Sequence, residues 1–186
     1  MTVRGFGVEL VRLQREHIEM VRAWRNDDGI SRFMDFRQHI APEQQQHWFD
    51  GLNLATDFYF LIREKGNFHG LIHCSHIDWE RHVGQSGLFI SSAQFQGTHL
   101  PVAASCLMLE YFFTHTSLLS IEAKVMCDNP IALNYNLSLG FSHIPSDAPN
   151  RYHKLWLGKA EFYTAFDMNL NLLRKIHGPN LEVIAQ

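Results

Sequence analysis

The feature that most limits the fold is the run from Pro101 to Thr116, PVAASCLMLEYFFTHT, which has no internal breaker and is apolar on most sides. Coiled as a helix it has no polar face to leave in water, so it must be buried against a sheet. The residues before it, SSAQFQGTHL, are mostly small or polar and include Gly97, so a strand passes through a short glycine-containing loop into the buried helix. That arrangement suits an anion, because the first amides of a helix are unpaired and its dipole favours negative charge there. Read alone, the same loop is also an ordinary strand-to-helix turn.

The remaining pattern supplies the sheet. Strands are expected at 8–13 (VELVRL), 57–63, 68–78 and 85–91, with Lys65-Gly66-Asn67 turning the second of these back into the third. Ile18, Val21 and Trp24 have helical spacing within 17–25, and a second helix begins at Pro42, where a missing amide is harmless, and runs through Trp48 and Phe49. Beyond the apolar run, Ile121, Ala123 and Val125 alternate with Glu122 and Lys124 as in a half-buried strand. Asn129 as N-cap and Pro130 as first helical residue open a short helix over 131–139 that Gly140 closes. A brief strand at 141–144, a loop at 145–150, a hairpin of 152–157 with 161–168 around Gly158-Lys159, and a helical tail from Asn171 complete the chain. The expectation is one domain over 1–186, of α+β class with α/β/α layering around a mixed sheet.

Composition narrows the function. With 186 residues, 46% hydrophobic and 19% charged, the chain can bury a sizeable core, and a net charge of −3 without a basic block argues against a nucleic-acid partner. The apolar stretches are strand or helix sized, and Met1 to Leu10 carries Arg4 and Glu9 with no apolar signal core, so a cytoplasmic protein without a membrane partner is expected. Cys74, Cys106 and Cys127 lack C-x-x-C spacing and read as buried free thiols. His69, His73 and His76 cluster around Cys74, but on a strand His73 and His76 point to opposite faces, so no metal site is expected.

Two motifs at fixed order and spacing carry a resemblance. The first is Ile90, then Ala93-Gln94-Phe95-Gln96-Gly97-Thr98-His99-Leu100-Pro101, then the apolar helix; the second is Asn129-Pro130-Ile131-Ala132 continuing to Gly140-Phe141. Together they resemble the GNAT superfamily of acetyl-coenzyme A-dependent N-acetyltransferases, with Q/R-G-x-G-x-G/A before a helix and N-x-x-A-x-x-x-Y-x-x-x-G-F after the next strand. Trp24-Arg25-Asn26-Asp27, the stretch from Ile40 to Phe49, and the segment Tyr152 to Met168 look like the branch of ribosomal-protein N-terminal acetyltransferases. They look still more like amino-sugar acetyltransferases of pseudaminic acid synthesis.

The resemblance implies a GNAT fold with a mostly antiparallel sheet, acetyl-coenzyme A as cosubstrate, and a primary amine as acceptor, foremost that of a nucleotide-linked amino sugar; it allows a homodimer. It implies that backbone groups of Leu88, Phe89 and Ile90 line the acetyl and pantetheine arm. Amides from Gln96 through Gly97, Thr98 and His99 to Leu100 would cradle the pyrophosphate, and Asn129 would contact the pantetheine. Trp24 and Arg25 would bind the acceptor, Arg25 by pairing with a phosphate, and the loops 26–40 and 145–151 would shape its pocket. His73 is the expected base, with His76 second, since imidazole titrates near neutral pH.

Two departures bear on this reading. His99 and Pro101 stand where the family has glycine and glycine or alanine, and Asn136 stands where many members have the tyrosine that protonates the leaving thiolate. An amide cannot act as a general acid, and the adjacent Tyr135 is rotated about 100° around the helix. Rival readings are a protein N-terminal acetyltransferase, a GNAT-fold coenzyme A binder without transfer, and, last, a metal module built on His69, His73, Cys74 and His76.

Overall fold

The computed structural model describes residues 1–95, 97–145, 151–178 and 183–185. Their strands are β1 (Thr2–Gly5), β2 (Val8–Arg12), β3 (Phe58–Glu64), β4 (Asn67–Asp78), β5 (Val83–Ile90), β6 (Ser120–Met126), β7 (Ser142–His143), β8 (Tyr152–Gly158) and β9 (Ile184–Ala185). They form one sheet in the order β7-β8-β6-β5-β4-β3-β2-β1-β9. Every described pairing is antiparallel except β5 with β6. The helices are α1 (Ile18–Arg25), α2 (Asp28–Ser31), α3 (Pro42–Asp50), α4 (His99–His115), α5 (Pro130–Ser138) and α6 (Lys159–His177).

Alternation along the central strands sorts side chains onto two faces. Phe60 and Ile62 of β3 join Ile72 and Cys74 of β4 in the cluster that holds α4, whereas Leu61 and Leu71 join Val21 of α1 in a second cluster flanked by Trp48 and Phe49 of α3. The register pairs Phe60 with Ile72 and Leu61 with Leu71, so each face is continuous across the two strands. This is the layered α+β arrangement expected from the sequence. As the apolar run requires, α4 buries Leu100, Cys106, Leu107, Phe112 and Phe113 almost completely.

One expectation is overturned. Residues 161–168 are not the second strand of a hairpin: β8 ends at Gly158 and the chain turns directly into α6. The physical reason is the apolar periphery of α4, which the sheet covers on one side only. Phe162, Phe166 and Leu173 lie at helical spacing and are buried, and the Phe162 ring packs against Phe113 of α4 at 5.5 Å while Phe166 meets Phe6 at 5.9 Å. The sequence reading also missed β1, which pairs with β2 through a tight turn in which Phe6 and Gly7 both have positive φ, 53° and 79°. That conformation matches the twist of a two-residue hairpin. Cys74 and Cys106 are buried free thiols as expected, but Cys127 is exposed at the end of β6.

Because Phe113 joins the sheet-facing core to α6, Phe113→Ala is expected to lower unfolding free energy by about 3 to 5 kcal/mol, the usual cost of deleting a buried aromatic ring. Denaturant unfolding followed by circular dichroism measures it.

Candidate active site

The parallel pairing of β5 with β6 runs only from Val83–Ser120 to Ser86–Ala123. Beyond it, Gly87 to Ile90 pair with β4 alone and Lys124 to Met126 pair with β8 alone. The two strands therefore splay, and the peptide groups of β5 that point away from β4 have no strand partner on that side. A cleft of about 1250 Å³ opens in the gap, lined by residues from Val21 to Ile176, including Leu88, Phe89 and Ile90.

At one end of the cleft lies the loop into α4. Gly97 has φ 75° and nothing lies within 4 Å of the position a Cβ would take, so its backbone faces open space. Thr98 is the N-cap: its hydroxyl donates to the Phe95 carbonyl at 2.7 Å and accepts from the Leu100 amide at 3.3 Å. His99 is therefore the first helical residue and Pro101 the third, not the first as the sequence suggested. With Leu100 committed to its cap and Pro101 lacking an amide, the donors without a partner among the described residues are the amides of Gly97 and His99. Leu100 itself is fully buried in the core. Gln96 lies outside the described residues, as do 146–150 of the loop 145–151.

On the opposite wall, Asn129 caps α5 through its Oδ1, which accepts the Ala132 amide at 3.0 Å, and it still lines the cleft. Asn136 turns its amide back on its own helix, donating to the Ala132 carbonyl at 2.8 Å. The Tyr135 hydroxyl bonds across to α4, 2.8 Å from the Pro101 carbonyl and 2.7 Å from Ser105 Oγ. Burial pushes its pKa far above the usual phenol value. Both side chains are thus engaged in joining or bracing helices, which suits neither to protonate a leaving group.

At the other end, the His73 imidazole stacks on Tyr59 at 4.9 Å and lines the cleft. Its register partner is Gly87, where a Cβ would stand 2.4 Å from His73 Nε2, so the glycine makes room for the ring. His73 Nδ1 lies 3.0 Å from the Oγ of the buried Ser75, and that oxygen lies 3.1 Å from Nδ1 of the exposed His76. This corrects the expectation that the two histidines face apart. The pairing shifts register between Ser75 and Asp78 and His76 adopts φ 51°, so strict alternation breaks at this point and both rings reach the same hydroxyl. Among the described residues no group of three His, Cys, Asp or Glu side chains is placed to hold a metal ion.

Charge in the cleft is mostly positive among the described residues: Arg25, Arg32 and Lys124 line it, against one carboxylate, that of Asp35. Asp35 already accepts the Tyr152 hydroxyl and lies 3.8 Å from Arg151. Arg25 is half-buried, its charge reaches both Tyr59 and His73, and its Nε has no hydrogen-bond partner among the described residues. Trp24 is not a lining residue; its ring meets Phe89 edge-on at 6.3 Å, so it serves as a core contact behind Phe89 and not as a stacking platform. The sequence reading missed Tyr59 and the contribution of Leu172 and Ile176 from α6, which line the cleft from outside both motifs.

Splayed parallel strands thus leave an open peptide edge beside a helix N-terminus whose Gly97 and His99 amides have no partner among the described residues, a cleft suited to an extended ligand with an anionic head. The chain belongs to the acetyltransferase (GNAT) domain family, whose model matches residues 8–142. It is accordingly an acetyl-coenzyme A-dependent N-acetyltransferase, and the open edge and free amides fit that cosubstrate. Solved structures agree in fold. Spermidine N-acetyltransferase from Vibrio cholerae, in complex with coenzyme A and spermine, superposes with TM-score 0.72 at 16% identity, covering 84% of this chain and 98% of that one. An aminoglycoside acetyltransferase in complex with coenzyme A and kanamycin gives TM-score 0.71 at 15% identity, covering 84% and 98%. A domain from Methanocaldococcus jannaschii gives 0.72 at 16%, covering 81% and 97%. No curated protein matches the chain at a significant level. Among the described residues, no helix is long and apolar enough to cross a membrane.

Burial, with a smaller contribution from His76, lowers the His73 pKa from 6.5 to about 4. The native state thus favours neutral imidazole, and its stabilising effect is present in full above pH 6.5, where the unfolded chain is also neutral. As pH falls from 6.5 to about 4 the unfolded state binds the proton first, and about 3 kcal/mol of stability is lost. Urea unfolding across that window should show this loss, and His73→Gln should be flatter by a similar amount.

Proposed function

We propose that the acceptor is a primary amine on a small molecule that also carries an anionic group, foremost a nucleotide-linked amino sugar. The observation that carries this reading is Arg25: a half-buried side chain lining the cleft, with a buried Nε that has no partner among the described residues, within electrostatic reach of His73. A buried donor of this kind gains most from a phosphate or carboxylate brought by the substrate. A polyamine or aminoglycoside is a polycation, and here it would meet three cationic side chains and one carboxylate that Tyr152 already occupies.

In this reading the pantetheine arm runs along the open edge of Leu88, Phe89 and Ile90, with the diphosphate over Gly97 to His99 and the arm passing Asn129. The amine attacks the thioester carbonyl; the N–C bond forms, the C–S bond breaks, and the thiolate leaves. Positioning and a backbone contact to the oxyanion supply most of the rate. The amine's proton goes to His73 Nε2. Because this imidazole holds a proton weakly, its Nδ1–H passes to Ser75 Oγ and the Ser75 hydroxyl proton to His76 Nδ1 at the exposed end. Tyr135 and Asn136 keep α5 in place, and the thiolate departs without a dedicated acid, forgoing the roughly 10²- to 10⁴-fold that general-acid catalysis brings.

Thiol release from acetyl-coenzyme A, measured with nucleotide-linked amino sugars, free amino sugars, polyamines and peptide α-amines, tests the acceptor class. The expected result is turnover with the anionic amines. Arg25→Met should raise KM for them by about tenfold or more, the worth of one charge-assisted hydrogen bond, with acetyl-coenzyme A affinity unchanged. Preference for polyamines, or an unaltered KM in Arg25→Met, would sink the reading.

A further inference from the structure

The cofactor end of the cleft contains a side-chain cluster that the family motif does not explain. Glu64, the last residue of β3, keeps only 12% of its side chain exposed, and its Oε1 lies 2.9 Å from Nε2 of His99. His99 occupies the helix position where the motif has glycine, and it lines the cleft. On its other side stands His177 of α6, with ring centroids 4.8 Å apart. His177 Nε2 is buried without a partner among the described residues, and the ring lies against Gly7, where a Cβ would be 2.2 Å from it. The groups around His99 are therefore Glu64 from β3, Lys65 from the β3–β4 turn, which acts on the same cluster, and His177 from α6.

This arrangement poses an electrostatic problem. A nearly buried carboxylate beside a diphosphate site repels the ligand, and among the described residues of the loop the free donors are the Gly97 and His99 amides. The imidazolium form of His99 resolves both difficulties. Neutral imidazole has one N–H, and Glu64 takes it; only the imidazolium carries a proton on both nitrogens, leaving Nδ1–H free while Nε2–H remains on the carboxylate. We infer that His99 is a phosphate ligand of coenzyme A in its imidazolium form, oriented by Glu64, so that cofactor and proton bind together. His99 thereby replaces with a side chain the backbone donors that a glycine-rich loop supplies. The inference rests on the reading that the diphosphate lies over residues 97 to 99. His177 packs the far face of the ring and takes no proton in the exchange.

The test is isothermal titration with acetyl-coenzyme A and with 3′-dephospho-coenzyme A, whose diphosphate does not titrate near neutrality, from pH 5.5 to 8 in buffers of different ionisation enthalpy. The expected result is uptake of up to one proton per ligand, with affinity falling by up to about tenfold per pH unit as pH rises across the range. His99→Gln should bind about tenfold or more weakly at low pH, lack proton uptake and have a flat pH profile. His99→Lys, always charged in this range, should bind well and flatly across it. Glu64→Gln should bind more tightly than wild type at pH 8, and His177→Gln should keep the proton uptake. Binding to the wild type without proton uptake, or uptake retained in His99→Gln, overturns the inference while leaving the cofactor site intact. No binding of either ligand at any pH overturns both. Circular dichroism of each variant separates loss of fold from loss of the ligand.

Discussion

Everything functional in this chain depends on where β5 and β6 part. For four residues they are hydrogen-bonded neighbours, Val83 to Ser86 against Ser120 to Ala123. Each then follows its other neighbour, β4 or β8. Had the pairing continued in register, Leu88 to Ile90 would have spent their peptide groups on Val125 to Cys127, and there would be neither a cleft nor an edge for an extended ligand. The buried helix α4 depends on the same event. Its N-terminus sits at the end of β5, so the free amides of Gly97 and His99 face the gap that the divergence opens.

The two ends of the cleft divide the labour by charge. At one end His99 lines the cleft with Glu64 and His177 packed against it; at the other Arg25 stands near a neutral histidine. Both ends favour anions, yet the middle, between Leu88 to Ile90 and Val125 to Ala132, is largely apolar. Likeness of fold to acetyltransferases solved with spermine or kanamycin leaves this distribution untouched, because lining charges can change without altering the sheet.

The buried helix, the Asn129 cap and the strand succession were legible because each rests on local chemistry: apolar periodicity, a capping side chain and a proline at N1. What escaped depends on distant partners. Residues 161 to 168 read as a strand, whereas they coil because α4 needs an outer cover that Phe162 and Phe166 provide; the helical tail from Asn171 was legible. His73 and His76 read as opposed because alternation was assumed through Ser75, whereas one register shift brings both to a single hydroxyl. The motif residues around Gly97 were found by spacing, but that Thr98, not a residue beside Pro101, would cap the helix rests on a hydrogen bond two residues long. Trp24 shows the converse: its position beside Arg25 suggested a shared role, yet successive helical residues point about 100° apart, and only Arg25 reaches the cleft.

The contribution of Leu172, Ile176 and His177 to the cofactor end has a temporal consequence. The cleft begins with Val21 of α1 and ends with residues of α6 that lie beyond the segment matched by the family model. During synthesis strands β1 to β8 and both motifs emerge first, and the helix that shields α4 and backs His99 comes after them. A nascent chain therefore exposes the apolar flank of α4 until α6 has emerged and docked through Phe162.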